Sequence, residues 1–229
     1  MRSRLIVFLP LLLLFAAAPS VAAAASIAVD RGCYADAGTR KDTVRLSGSG
    51  FTPNAQYQVT LDGQPLPGGT GSTDAAGNVS GSFASPRLRP RDRQQTFLLG
   101  LQEGANTAKT TFTVSRLLAD FAPASGDPRS LRVRFSFFGF GLSDAAKPPT
   151  PVYVHYVRPD NGRVQQTVRL GTAKGRCGTI ARTAKRKLFP FAPRRGAWKL
   201  QFDSSKTYRR GTSKSPFLFF TVVVNVRPT

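Results

Sequence analysis

Apolar residues recur at every second position through most of this chain. Val44 and Leu46 point one way and Arg45 the other, the period-two pattern of a half-buried strand. The same alternation returns at Tyr57, Val59 and Leu61, at Phe97, Leu99 and Leu101, and at Phe112 and Val114. Val79 and Phe83 share a further strand face, and Ser26–Val29 is the opening strand. A second series follows: Val133, Phe135 and Phe137, then Val152–Val157, Arg163–Leu170, and Trp198, Leu200 and Phe202. Phe217–Val226 is apolar on both faces, which predicts a central strand covered on both sides. No stretch keeps apolar residues at helical spacing for three turns. The pattern is mostly β, with at most a helical turn in the basic, irregular segment Ala173–Leu188.

Turn residues separate these runs. Asp62-Gly63 is a hairpin signal, because a type I′ turn needs positive φ. Asp160-Asn161-Gly162 marks a second hairpin. Val44-Arg45-Leu46-Ser47-Gly48-Ser49-Gly50-Phe51 matches Val133-Arg134-Phe135-Ser136-Phe137-Phe138-Gly139-Phe140 at Val, Arg, Ser, Gly and Phe. The offset is 133 − 44, or 89 residues. One small β-unit used twice explains this. Residues 26–115 and 116–229 are each close to the length of one sandwich domain, about 100 residues. Between them, Arg116–Asp127 is a passage whose Leu117, Leu118 and Phe121 fit either a strand or an interface plug. The expected fold is all-β, two tandem β-sandwiches.

Gly48-Ser49-Gly50-Phe51-Thr52-Pro53, followed by Tyr57-Gln58-Val59-Thr60-Leu61-Asp62-Gly63, resembles bacterial extracellular immunoglobulin-like modules. The resemblance is to IPT/TIG-type and related repeats, over the greater part of the first unit and more weakly in the second. The second unit lacks a proline after Gly139-Phe140 and carries a longer insert. The resemblance implies an Ig-like sandwich acting as spacer or binding platform on an exported protein, with no catalytic residues to carry over.

The N-terminus fits export. Arg2 and Arg4 precede an apolar run from Leu5 to Ala18, and Val21-Ala22-Ala23-Ala24-Ala25 supplies small residues for cleavage. Residues 1–25 therefore read as a secretory signal peptide. The apolar run falls short of the roughly 20 residues a membrane-spanning helix needs, so the mature chain is expected to have no transmembrane segment. The expected location is extracellular or in the cell envelope.

Charge then separates the halves. Residues 26–115 carry nine Lys/Arg and seven Asp/Glu, a net of +2, whereas 116–229 carry 22 and five, a net of +17. A charge this large speaks to anionic partners rather than to fold. Arg182, Lys185, Arg186, Lys187, Arg194 and Arg195 are the expected polyanion contacts. The partners they suit are anionic cell-wall polymer, lipid head groups or an acidic protein, with no sequence-specific nucleic acid. Phe189, Phe191 and Tyr208 lie among the charges, and the reading of them as core residues is preferred over stacking platforms.

Candidates for chemistry are few. The cysteines, Cys33 and Cys177, fall one in each half, and oxidising conditions permit a disulfide clasping the two. His155 is the sole histidine, so a Ser-His-Asp or Cys-His site must route through it. Its approach to a hydroxyl or thiol and a carboxylate is the observation that would favour a hydrolase. No lysine has a serine three residues before it, which excludes the Ser-x-x-Lys class. Glu103 is the single glutamate, and Asp36, Asp62, Asp74 and Asp160 sit in turn-type sequence. One histidine and two distant cysteines offer no zinc spacing, and Asp74-Ala75-Ala76-Gly77-Asn78 is a turn rather than a calcium loop. No metal or cofactor is expected. The reading is a non-enzymatic interaction module, with a ligand-free spacer and a small envelope hydrolase as rivals.

Overall fold

The computed structural model describes residues 24–38, 42–142, 149–210 and 220–226. The expected signal peptide lies outside them apart from Ala24 and Ala25. Fifteen strands and no helix occur among the described residues.

The first eight strands are β1 (Ser26–Val29), β2 (Cys33–Ala35), β3 (Thr43–Ser49), β4 (Gln56–Leu61), β5 (Gln64–Ser72), β6 (Val79–Ala84), β7 (Gln94–Glu103) and β8 (Asn106–Ser115). They form two sheets, β1-β3-β6 and β2-β8-β7-β4-β5. The inward residues of both sheets meet in one core. Val44 and Leu46 from one sheet and Val59, Leu99 and Phe112 from the other are buried there. Phe112 receives Tyr34 edge-on at 5.5 Å and Phe97 stacked at 5.7 Å. The alternation that marks these strands in the sequence is thus the sandwich interior.

The remaining strands are β9 (Leu118–Ala122), β10 (Arg132–Phe138), β11 (Thr150–Val157), β12 (Val164–Ala173), β13 (Arg186–Lys187), β14 (Gly196–Asp203) and β15 (Phe220–Val226). Their sheets are β13-β10-β9 and β12-β11-β14-β15. Val133, Phe135, Phe137, Val154, Trp198, Leu200 and Phe202 fill a second core between them. Leu118 and Phe121 lie in β9, and Leu117 packs against the buried cluster around the cysteines, so the passage serves as both strand and plug.

The repeat has a common geometry. Gly50 and Gly139 carry φ of 82° and 77°, and the phenylalanine after each is buried. The Phe51 amide donates to the Gly77 carbonyl at 3.2 Å, and the Phe140 amide to the Gly178 carbonyl at 3.1 Å. The strand orders also correspond. The order β8-β7-β4-β5 in one half matches β15-β14-β11-β12 in the other.

Two sequence readings need correction. Phe220–Val226 is not a central strand among the described residues: β15 ends its sheet there, and Val223 is 56% exposed. Being apolar on both faces does not supply a neighbour on both edges. Phe217–Phe219 lie outside the described residues. Ala173–Leu188 contains no helical turn. It holds the bridges Lys174–Thr179 and Phe137–Ile180 and the short strand β13. The β5 strand escapes the pattern altogether, because Pro65, Pro67 and three glycines break the alternation. It is tolerated as an edge strand, where proline costs no ladder bond.

Candidate functional site

Cys33 and Cys177 form a disulfide with Cα atoms 5.2 Å apart across 144 residues of chain. Both are buried, with Ala35, Leu142 and Leu117 packed around them. Polar bonds surround this apolar knot. Arg116 donates to the Asp36 carboxylate at 3.1 Å and to the carbonyls of Pro90 and Arg89 at 2.8 and 3.0 Å. Arg93 meets Asp120 at 3.0 Å, Arg176 donates to the Thr111 carbonyl at 3.0 Å, and Thr179 bonds Gln94 at 2.8 Å. Burial alone would raise the Asp36 carboxyl. The amides of Gly38 and Leu88 and the Arg116 guanidinium outweigh it and hold the group below its ordinary range. A cleft beside the knot is lined by Asp30, Arg31, Gly32 and Arg176, but Arg31 is already paired to Asp30 and Asp42.

The expected polyanion contacts fall into three places. Arg182, Lys185 and Lys187 are exposed along the segment that runs beside β10. Lys187 stands opposite Arg132 in the β10–β13 pair, and Arg132 and Arg134 are also exposed. This ribbon gathers five cations. Arg194 and Arg195 are exposed elsewhere, on the turn entering β14, where the Arg194 carbonyl accepts the Trp198 indole N–H at 2.9 Å. Arg186 departs from the set. It is half-buried, donates to the Arg169 carbonyl at 3.2 Å, and its Nε is buried without a partner. Sequence alone missed Arg132 and Arg134, although their alternation with Val133 and Phe135 already put them on the outer face.

The described acidic residues of this half are committed elsewhere. Asp120 pairs with Arg93, Asp160 with Arg158, and Asp203 with His155. Asp127 bonds the Arg129 amide and the Ser130 hydroxyl within its own turn. Among the described residues, no carboxylate pairs with the ribbon of Arg132, Arg134, Arg182, Lys185 and Lys187. The nearby aromatics are not free platforms. Phe189 is fully buried, Phe191 packs on Trp198 at 5.2 Å, and Tyr208 lies on His155 at 5.5 Å.

His155 does approach a hydroxyl and a carboxylate. Its Nδ1 lies 2.8 Å from Thr167 Oγ1, and its Nε2 lies 3.1 Å from both Asp203 Oδ1 and the Ser205 carbonyl. Two acceptors at Nε2 require a proton there, while Nδ1 shares its bond with the Thr167 hydroxyl. Gln201 extends the network, donating to Asp203 at 3.1 Å and to the Arg209 carbonyl at 2.7 Å. The order hydroxyl, imidazole, carboxylate is that of a nucleophilic triad. The exposure is not: His155 has none, and the crossing segment that carries Ser205 and Tyr208 lies against it. A saturated, covered imidazole is suited to pinning that crossing segment against the sheet.

No protein-family model matches the sequence, and no curated protein matches it. Among solved structures, the chain is similar to bovine butyrophilin, at 8% identity and a TM-score of 0.32, over 89% of this chain and 99% of that one. It is also similar to the titin Ig tandem domains A164-A165, at 11% identity and a TM-score of 0.30, over 87% of this chain and 94% of that one. Both scores are low, and the all-β fold rests on the strand pairing and cores described above.

Proposed function

We propose that this protein is an exported, non-enzymatic module of two Ig-like sandwiches whose second sandwich adheres to anionic polymers or surfaces of the cell envelope. The observation that carries the reading is the β10–β13 ribbon, where, among the described residues, five exposed cations stand without a carboxylate while the acids are used elsewhere. Arg194 and Arg195 add charge on the turn before β14. The contact is Coulombic, so it favours charge density over sequence or sugar identity.

The test is retention of the full chain, without residues 1–25, on an anionic wall-polymer matrix across a salt series. With about five phosphates neutralised, the log–log slope on a single-stranded polyphosphate is about −3.5. Lys185→Glu with Lys187→Glu should cut retention at least tenfold. Arg45→Glu with Lys109→Glu, on the near-neutral half, should leave it unchanged. Equal losses from both pairs, or no retention at low salt, would leave the spacer reading in its place.

A further inference from the structure

The internal correspondence exposes a difference at one edge. In the first half the outer edge of β8 is covered at Thr113–Ser115 by β2, which runs parallel to it with Tyr34 beside Val114. Tyr34 is fully buried and fills the first core. In the second half β15 takes the place of β8, yet among the described residues no strand pairs with its outer edge. By chain order the closing strand belongs between β9 and β10. Residues 123–131 are described there, and they form a turn around Asp127 instead of a strand.

This edge, unpaired among the described residues, also lacks the usual protections. Edge strand β5 carries Pro65 and Pro67, and edge strand β12 has register shifts and Arg169. The β1, β2 and β13 strands are four residues or fewer. Edge strand β9 carries Asp120, and edge strand β6 pairs as evenly as β15 but is half serine and glycine. The β15 strand pairs without interruption from Phe220 to Val226, is mostly apolar and contains neither charge nor proline. Its mid-strand Val223 is one of the two exposed large apolar residues among those described.

We propose that β15 is a strand-addition site that receives an extended, acidic segment of another polypeptide, in the place β2 takes on β8. Main-chain bonds to the ladder would supply affinity, and alternating side chains specificity. The net charge of +17 on this half sets the partner's sign and opposes a second copy of this chain. The inference is independent of the cationic ribbon, which lies on the other sheet.

The test uses the full chain without residues 1–25 and two labelled synthetic peptides. One alternates valine and glutamate over eight residues. The other has the same charge with proline at every valine position. Fluorescence anisotropy should show the first binding at least tenfold more tightly, with hydrogen-exchange protection appearing in residues 220–226. Val223→Lys should weaken binding at least threefold although it adds a positive charge. Asn225→Pro should do the same, and unchanged thermal midpoints would show that both variants keep their fold. Lys185→Glu with Lys187→Glu should leave the difference between the peptides intact. Equal binding of the two peptides would overturn the proposal, because attraction would then be charge alone. Protection confined to β10 and β13 would overturn it too, as would sedimentation showing a dimer that Val223→Lys abolishes.

Discussion

The Phe140 amide donates to the carbonyl of Gly178 at 3.1 Å, and Gly178 lies so close that a Cβ on it would stand 2.4 Å from the Gly141 nitrogen. Gly77 stands to Phe51 in the same way, with its Cβ position 2.1 Å from the Phe51 oxygen. Each corner is thus closed by a glycine distant in sequence. Gly178 has φ of 64° and Gly175 has 73°, but nothing lies within 4 Å of a Cβ on Gly175. Gly175→Ala should therefore cost about 1 kcal/mol for the left-handed backbone alone. Gly178→Ala should cost about 3 kcal/mol, strain and collision together. Urea unfolding measures both, and equal losses would show that the close approach is unimportant.

Removing the disulfide tests the knot between the halves. The chain-entropy model assigns a bond closing 144 residues about 5 kcal/mol. Cys33→Ser with Cys177→Ser should lower stability by up to that amount. The loss should appear first as exchange of amides around Leu117 and Leu142, which pack on the sulfurs.

Acid should loosen the first half through three carboxylates. Burial opposes the charge of Asp30, Asp36 and Asp42, but hydrogen bonds and neighbouring arginines outweigh it and hold all three below their ordinary value. A group depressed in the folded state binds its proton more readily when unfolded. Its stabilisation is therefore present above about pH 4 and is lost as pH falls through the lowered values. Thermal midpoints should be flat from pH 7 to about 4.5 and fall below that. Asp36→Asn should cost about 2–3 kcal/mol at pH 7 and flatten the acid limb. A variant with an unchanged acid limb would place the effect elsewhere.

The His155 network predicts a loss of stability rather than of turnover. Asp203→Ala removes the acceptor shared by His155 and Gln201 and should cost about 3 kcal/mol. Thr167→Val removes one bond to Nδ1 and should cost about 1 kcal/mol. Chromogenic ester hydrolysis should stay at the buffer rate in the parent and in both variants. Turnover that Thr167→Val abolishes would revive the hydrolase reading.

Much of the fold was legible because burial imposes a period of two. Val44, Leu99, Phe135 and Leu200 all point inward as their alternation requires. What escaped depends on contacts distant in sequence. Nothing local in Cys33-Tyr34-Ala35 announces a strand, because β2 exists only through its parallel pairing with β8. Arg186 shares the composition of its neighbours, yet it is half-buried beside Tyr156, whose phenol burial raises and whose hydroxyl donates to Leu188. The ribbon was half visible. Lys185 and Lys187 could be read from a basic run, whereas Arg132 and Arg134 join them only through the pairing of β10 with β13.

Cys33 lies within β2, so the bond that joins the halves also staples down the strand covering β8. Three residues of parallel pairing hold that cover by themselves. In a reducing medium that anchor is lost, and the cover of β8 rests on backbone pairing alone. The oxidation that joins the two halves would then also decide whether a second stretch of ladder faces solvent.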